Sequence, residues 1–193
     1  MNTDPVREHF SRHLEVTRRA ADTLPEAIEQ CCQLLTGCLK AGGKILVAGN
    51  GGSAADAQHF AAELVGRFLR ERRALAAIAL TTDTSILTAL SNDYGFDLVF
   101  ARQVEALAHP GDVVVAISTS GNSLNLLLAI KKARELGCKT IGLLGRDGGK
   151  LAAEVDLSLI VPSDETPRIQ EMHALLVHIF CDLIERDLVD SWE

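Results

Sequence analysis

The sequence lacks any apolar run long enough to cross a membrane, since a helical span needs about 20 consecutive apolar residues. It also lacks a signal-peptide pattern, because its first ten residues, MNTDPVREHF, are polar and charged. Its cysteines number five, an odd count, and none has metal-knuckle spacing. We therefore predict a soluble cytoplasmic protein with buried, reduced thiols. The cysteines are Cys31, Cys32, Cys38, Cys138 and Cys181.

An excess of basic charge is also missing. Lysine and arginine number 19 against 26 aspartates and glutamates, giving a formal net charge of −7. This balance argues against a broad basic surface for nucleic acid, but local groups can still bind a small anion. No linker, internal repeat or low-complexity segment interrupts the chain. With 193 residues, 47% of them apolar, the chain is long enough for one domain with a sizeable core.

Five short apolar runs alternate with segments of helical character. Near-continuous apolar strands between helices are typical of a parallel sheet covered on both faces. Two helices, separated near Leu24, precede the first strand, which is more than one sheet needs. We therefore predict a single α/β domain over residues 1–193, with residues 42–193 as its core and a helical hairpin, residues 1–41, packing against a partner subunit. The strands are predicted at residues 44–48, 75–80, 112–117, 139–144 and 157–161.

The stretch Gly49 to Phe68, GNGGSAADAQHFAAELVGRF, follows the first strand. Its glycines permit a sharp exit from the strand, Ser53 can cap the next helix, and the free N–H groups of that helix favour an anion. His59 and Glu63 are four residues apart and project from one helix face. Together they favour a site that binds a substrate and moves protons, although such turns and pairs also occur without a ligand. The basic segment from Arg67 to Arg73 is interpreted as a solvated helix end.

The exit of the third strand is the most specific phosphate signal. Four hydroxyl side chains and Gly121, which lets the backbone approach a ligand, precede a helix whose N-terminus favours negative charge. No P-loop lysine is present, so a monophosphate fits better than a nucleoside triphosphate. A helix cap alone would not need so many hydroxyls. They belong to Ser118, Thr119, Ser120 and Ser123.

The last helix carries RIQEMHALLVH, in which Gln170 and His178 are eight residues apart and can face one cleft. A lone histidine in an apolar run is more often a satisfied core residue, and His173 is interpreted as structural or exposed. With His59 and Glu63, these side chains could bind a divalent ion such as zinc. Equally, Glu63 and His178 could act as a base and an acid, and the two roles can coexist.

The motifs GNGGSAADAQHF, ISTSGNS and RIQEMH resemble the sugar isomerase (SIS) family over nearly the whole chain. Within that family, the chain is similar to members that convert sedoheptulose 7-phosphate to D-glycero-D-manno-heptose 7-phosphate, for lipopolysaccharide or other surface polysaccharide. The resemblance implies a five-stranded parallel sheet flanked by helices, one zinc ion per subunit, and a homotetramer with active sites at subunit interfaces. It also implies aldose–ketose isomerisation of a sugar phosphate.

The same resemblance implies a role for each matching residue. His59, Glu63, Gln170 and His178 match zinc and catalytic positions, with Glu63 and His178 as the catalytic pair. The substrate-binding positions are Asn50, Gly51, Gly52, Ser53, Glu63, Asn92, Asp93, Ser118, Thr119, Ser120, Ser123 and Gln170. As an alternative, the chain also resembles non-catalytic SIS proteins that associate with the replication initiator. Those proteins lack the carboxylate and second histidine found here at Glu63 and His178, which favours the enzyme.

Overall fold

A computed structural model describes residues 3–189. The outermost residues of the predicted domain, 1–2 and 190–193, lie outside the described residues. The described chain forms seven helices and five strands, with short 3₁₀ turns at Phe96–Leu98 and Lys150–Ala153. The helices are α1 (Asp4–Thr23), α2 (Pro25–Lys40), α3 (Gly52–Val65), α4 (Thr84–Tyr94), α5 (Val99–Leu107), α6 (Leu124–Glu135) and α7 (Thr166–Val189). The strands are β1 (Ile45–Gly49), β2 (Ala77–Ala79), β3 (Val113–Ser118), β4 (Lys139–Gly145) and β5 (Leu157–Val161).

The strands form one parallel sheet in the order β2-β1-β3-β4-β5. Strands β1 and β3 pair from Ile45 with Val113 to Gly49 with Ile117, so their carboxyl ends lie at one level. In a sheet of this order the winding reverses between these two strands, and ligands bind in the crevice outside their carboxyl ends. The five-stranded parallel sheet predicted from the sequence is confirmed. Its topology places the glycine turn, Gly49 to Ser53 after β1, beside the serine loop, Ser118 to Ser123 after β3.

Both faces of the sheet are covered, as predicted. Along β1, Ile45 and Val47 join a hydrophobic core with residues of α2, α3 and α7. The alternate residues, Leu46 and Ala48, join a second core with residues of α5 and α6. This alternation follows from the two-residue period of a strand, and burial of both sets explains why the strand reads as a continuous apolar run.

The two N-terminal helices do not fold back as the predicted hairpin. Leu24 alone separates them, and its helical backbone continues the hydrogen bonding across the junction. His13 of α1 contacts Glu171, and Lys40 of α2 contacts Asp187, so both helices run along α7 in the same direction, and α2 and α7 belong to the same core.

The buried residues of α1 are Val16 and Ala20. Three of its large apolar side chains are more than half exposed: Val6 at 58%, Phe10 at 67% and Leu14 at 52%. Exposed apolar side chains in one helix are consistent with packing against another subunit, and that use of residues 1–41 remains a prediction.

Two local predictions at helix ends are wrong. Ser53 does not cap α3, because Gly51 occupies the N-cap position with a φ of +57°, which glycine tolerates. Ser53 is already the second residue of the helix and is buried. The polar run Asn92-Asp93-Tyr94-Gly95 also predicts a turn, but α4 continues to Tyr94 and ends at Gly95, whose φ is +84°.

The segment from Arg67 to Arg73 is not a solvated helix end. Helix α3 ends at Val65, and the chain then runs irregularly across the protein. The Arg72 side chain is only 1% exposed and pairs with the fully buried Glu185 of α7. Its guanidinium also donates to backbone carbonyls near the end of α3. A helix leaves such carbonyls without intrahelical partners, and Arg72 satisfies them from inside the fold.

The five cysteines are buried and free, as predicted. Burial raises the pKa of Cys31, Cys32 and Cys181 to about 12, so these side chains are thiols at neutral pH. Among residues 3–189, no helix has both the length and the apolar character needed to cross a membrane.

Candidate active site

The glycine turn brings the start of α3 close to α7. A Cβ atom on Gly52 would lie 2.3 Å from Nε2 of Gln170, so only glycine allows this approach without displacing the amide. Ser53 and Asn50 line the same small cavity as Gln170. The turn therefore brings backbone and polar side chains to the carboxyl end of β1.

An amide pair joins the turn after β1 to the helix after β3. Asn50 Nδ2 donates to Asn125 Oδ1, and Asn125 Nδ2 donates to Asn50 Oδ1, both at 3.0 Å. Asn125 is only 3% exposed. This residue was not predicted from the sequence, although a polar side chain inside the apolar run LNLLLAI was an available signal. The pair fixes the spacing between the two loops at the crevice.

The serine loop is arranged to donate hydrogen bonds. The hydroxyl oxygens of Ser118 and Ser120 accept backbone N–H groups from Gly121 and Asn122 at 3.1 and 3.3 Å. Each hydroxyl keeps its own hydrogen to donate to a ligand. Ser123 occupies the N-cap position of α6 but makes no capping bond with its side chain. The hydroxyls and the positive end of α6 surround a cavity of about 90 Å³, which suits a phosphate group.

The loop after β4 packs against the backbone of the serine loop. Gly121 has a φ of +64°, and a Cβ atom there would lie 1.9 Å from the carbonyl oxygen of Gly148. The backbone N–H of Leu151 donates to the Gly121 carbonyl at 2.9 Å. Glycine is thus required at position 121 both by its backbone conformation and by close packing.

His59, Glu63 and His178 converge at the interface of α3 and α7. His59 Nε2 lies 3.1 Å from Glu63 Oε1 and 3.3 Å from His178 Nε2. The two imidazole rings are nearly perpendicular, with centroids 4.9 Å apart. Ligand atoms of all three residues lie within 4.8 Å of one another. Tetrahedral zinc with ligand bonds of about 2.0–2.1 Å separates its ligand atoms by about 3.3 Å, so this donor set fits a zinc ion.

Gln170 lies apart from these three side chains. It packs against Gly52 at the start of α3 and lines the serine-loop cavity. Eight residues separate it from His178, which corresponds to a rise of about 12 Å along α7. The structure therefore brings together three of the four predicted metal ligands within one chain. Gln170 as the fourth ligand remains a prediction.

Comparisons with known proteins identify the family of the chain. A family model described as the SIS domain matches residues 8–145. The chain is 58% identical over 188 residues to the phosphoheptose isomerase of Syntrophotalea carbinolica, covering 97% of this chain and 96% of that protein. It is 61% identical over 183 residues to the phosphoheptose isomerase of Citrifermentans bemidjiense, covering 95% of each. The chain belongs to the phosphoheptose isomerases of the SIS family.

A solved structure supports the same assignment. Phosphoheptose isomerase GmhA from Neisseria gonorrhoeae superposes with a TM-score of 0.91 and 52% identity, covering 95% of this chain and 98% of that one. The predictions of an SIS fold and of a sugar-phosphate isomerase are thereby confirmed.

Asn92 and Asp93 lie near the end of α4, where Asn92 Nδ2 donates to Asp93 Oδ1 at 2.8 Å. Both are exposed, and neither lines the two cavities that contain Asn50. Their contact with substrate remains a prediction.

Three further residues beside the site were missed or left open by the sequence. Phe68 stacks on His178, with ring centroids 5.3 Å apart and planes inclined by 25°. Asp56, one turn before His59, has an Oδ2 atom that is buried without a hydrogen-bond partner among residues 3–189. Burial raises the pKa of Asp56, and the nearby His59 opposes this effect. His173 is fully buried, and its Nε2 lies 3.0 Å from the Leu144 carbonyl oxygen, so it is structural.

Proposed function

We propose that this chain converts sedoheptulose 7-phosphate to D-glycero-D-manno-heptose 7-phosphate in the cytoplasm, supplying heptose for lipopolysaccharide or another surface polysaccharide. The observation that carries the proposal is the convergence of His59, Glu63 and His178. A cavity lined with hydroxyl groups supplies the phosphate site. The name that the relatives share, phosphoheptose isomerase, agrees with a seven-carbon sugar phosphate as substrate.

The phosphate of the substrate binds at the serine loop. Ser118 and Ser120 each have a hydroxyl hydrogen to donate, and the N-terminal end of α6 adds positive potential. Asn50 and Gln170 line the same cavity and can contact the sugar. Anchoring one end of the sugar restricts where its carbonyl carbon can lie, which favours reaction with fixed side chains.

Glu63 is the general base and His178 is the acid that works with it. The Glu63 carboxylate takes a proton from C1, and the electron pair of that C–H bond forms the C1–C2 double bond of an enediolate. His178 supplies a proton to the oxygen on C2 and accepts one from the oxygen on C1. The proton held by Glu63 then adds to C2, so the ketose becomes an aldose. Each general acid or base contributes about a hundred- to ten-thousand-fold to the rate.

His59, Glu63 and His178 are the residues that would hold zinc, with Gln170 as the fourth predicted ligand. Bound there, zinc supplies positive charge that stabilises negative charge developing on oxygen. Because Gln170 lies against Gly52 in its own chain, we propose that a homotetramer completes each cleft with residues of a neighbouring subunit. Light scattering together with an activity assay tests the assembly, and a fully active monomer would rule it out.

The deciding experiment is turnover of sedoheptulose 7-phosphate by the purified protein. The Glu63→Gln variant should lose at least about a hundredfold in kcat while still binding substrate. His178→Gln should lose a comparable amount. Matched controls are Glu135→Gln, in a surface ion pair with Lys132, and His109→Gln, whose side chain is 75% exposed; both should retain wild-type kcat.

The hydrogen that moves between C1 and C2 provides a second measurement. Proton transfer through Glu63 predicts incorporation of deuterium from deuterated solvent into the product. Full activity of Glu63→Gln would refute the assigned base, and complete retention of substrate hydrogen would favour a hydride shift. If no ketose phosphate were converted and the tetramer bound the replication initiator, the non-catalytic alternative would replace this proposal.

A further inference from the structure

Helix α7 carries a buried carboxylate two turns after the half-buried His178. Glu185 follows His178 by seven residues, two helical turns, which returns to nearly the same direction. Its side chain is fully buried. Its two carboxylate oxygens accept the backbone N–H groups of three consecutive residues at 2.7 to 2.9 Å. These residues are Phe68, Leu69 and Arg70.

Arg72 binds the same carboxylate with its guanidinium group. Its Nε donates to Glu185 Oε1 at 3.0 Å. Its terminal nitrogens donate to the carbonyl oxygens of Glu63 at 2.7 Å and Leu64 at 2.9 Å. The arginine thus joins the last turn of α3, which carries the proposed base, to α7, which carries the proposed acid. We call Glu185 and Arg72 the buried ion pair.

The buried ion pair is fully engaged, which is the condition for such a pair to hold a structure firmly. Burial opposes ionisation of Glu185, but the hydrogen bonds from the three backbone N–H groups and the charge of Arg72 outweigh it, so the pKa of Glu185 is lowered. The carboxylate is therefore charged at neutral pH. The carboxylate therefore fixes the backbone after α3 at Phe68, the residue whose ring stacks on His178.

Phe68 is the contact that limits rotation of the His178 ring. The Nε2 atom of His178 faces His59, and among residues 3–189 no hydrogen bond reaches its Nδ1. Histidines at metal sites usually have their orientation fixed by a hydrogen bond at the other ring nitrogen. Here the stacked Phe68 ring, with planes inclined by 25° and centroids 5.3 Å apart, supplies that restraint instead.

We propose that Phe68 is a positioning residue for His178, and that the buried ion pair of Glu185 and Arg72 holds Phe68 in place. The ring keeps Nε2 of His178 directed at His59 and Glu63, where this nitrogen can either bind zinc through its lone pair or carry a proton to donate, but not both at once. This inference rests on the proposed function for the meaning of that orientation. The orientation itself can be measured without substrate.

The test compares Phe68→Leu, which removes the ring but keeps an apolar side chain, with Phe68→Tyr, which keeps the ring. Zn²⁺ affinity is measured by competition with a chelating dye. The imidazole nitrogen and proton resonances of His178 are measured by NMR, with their assignment taken from the signals lost in His178→Gln. We expect Phe68→Leu to weaken Zn²⁺ binding about tenfold and to shift the His178 resonances by more than the loss of the Phe68 ring current alone produces, because the imidazole changes its orientation. Phe68→Tyr should remain within about twofold of wild type in affinity.

The enzyme assay adds a separate readout. Phe68→Leu should lower kcat more than it raises KM, since misdirected Nε2 impairs the chemical step rather than phosphate binding. Unchanged Zn²⁺ affinity and unchanged His178 resonances in Phe68→Leu would overturn the proposal, even if activity fell, because Phe68 would then act on substrate directly. If the wild-type protein bound no Zn²⁺, or converted no sugar, the resonances alone would decide.

The ion pair is tested with Glu185→Gln and Arg72→Lys, against the control Asp182→Asn. Asp182 lies on the same helix and pairs with Arg186, whose side chain is 56% exposed, so its loss should leave the His178 resonances unchanged. Both ion-pair variants should shift those resonances in the direction seen for Phe68→Leu. If Glu185→Gln does not fold, Arg72→Lys, which keeps the charge, decides this part. Wild-type resonances in a folded ion-pair variant would remove Glu185 and Arg72 from the proposal.

Discussion

His173 makes the stability of this protein depend on pH in a direction that can be calculated. The residue lies in α7, is 0% exposed, and donates from Nε2 to the Leu144 carbonyl oxygen at 3.0 Å, near the carboxyl end of β4. Its Nδ1 is buried without a partner in the described part of the chain. Burial lowers the pKa of His173 from 6.5 to about 4, although the bond to Leu144 opposes this effect. The neutral ring therefore holds α7 against the sheet.

The sign follows from which state binds the proton. Between pH 6.5 and pH 4 the unfolded chain protonates this histidine and the folded protein does not, so the free energy of unfolding falls as the pH is lowered. The contribution is complete above pH 6.5 and is lost towards pH 4. A pKa difference from 6.5 to about 4 corresponds to about 3 kcal/mol in total, of which about 2 kcal/mol is lost between pH 7 and pH 5.

The assay is urea unfolding of wild type and His173→Gln at pH 7 and pH 5. A glutamine can still donate to the Leu144 carbonyl but does not titrate, and the carboxylates of the chain titrate in both proteins. One protein concentration is used throughout, because assembly adds to apparent stability. We expect wild type to lose about 2 kcal/mol more than the variant between the two pH values. Parallel losses in the two proteins would refute the reasoning.

Three further predictions concern the serine loop and the core. Replacing Ser118, Ser120 and Ser123 together with alanine should strongly weaken sugar-phosphate binding measured by calorimetry. The control Ser85→Ala should leave that affinity unchanged. Unchanged affinity in the triple variant would reject the phosphate site. Gly121→Ala should lower the free energy of unfolding by more than about 1 kcal/mol, because its φ of +64° disfavours a side chain, and an unchanged melting temperature would contradict this. The five buried thiols should resist iodoacetamide at pH 8 until the protein is unfolded, and rapid alkylation of the folded protein would count against their burial.

The sheet could be predicted because its strands are buried on both faces. All five apolar runs became strands, since a parallel strand between two helical layers leaves few positions for polar residues. The largest error is at β2, predicted over residues 75–80 and observed as Ala77–Ala79. This strand lies at the edge of the sheet, where Ile78 is 37% exposed. At this edge, apolar residues that flank the strand are buried in the core although they do not belong to the strand. The apolar run is therefore longer than the strand itself.

Pairs that lie far apart in the sequence could not be predicted from it. Arg72 looked solvated because its neighbours are basic, and its partner Glu185 is 113 residues away. The amide pair of Asn50 and Asn125 spans 75 residues in the same way. Both pairs satisfy buried polar groups, but which distant group satisfies which depends on the packing of α3, α6 and α7, which a local pattern does not contain.

The metal site shows how far helical periodicity can be used. A spacing of eight residues correctly indicates that Gln170 and His178 share a face of α7, but it says nothing against their axial separation of about 12 Å. Ligand atoms around one zinc ion are only about 3–4 Å apart. His59, four residues before Glu63, meets this limit because one helical turn brings their side chains together. Gln170 does not meet it from its position against Gly52, so one ion bound by all four side chains would need either a different Gln170 rotamer or a glutamine from another subunit, whereas His59, Glu63 and His178 can bind an ion within one chain.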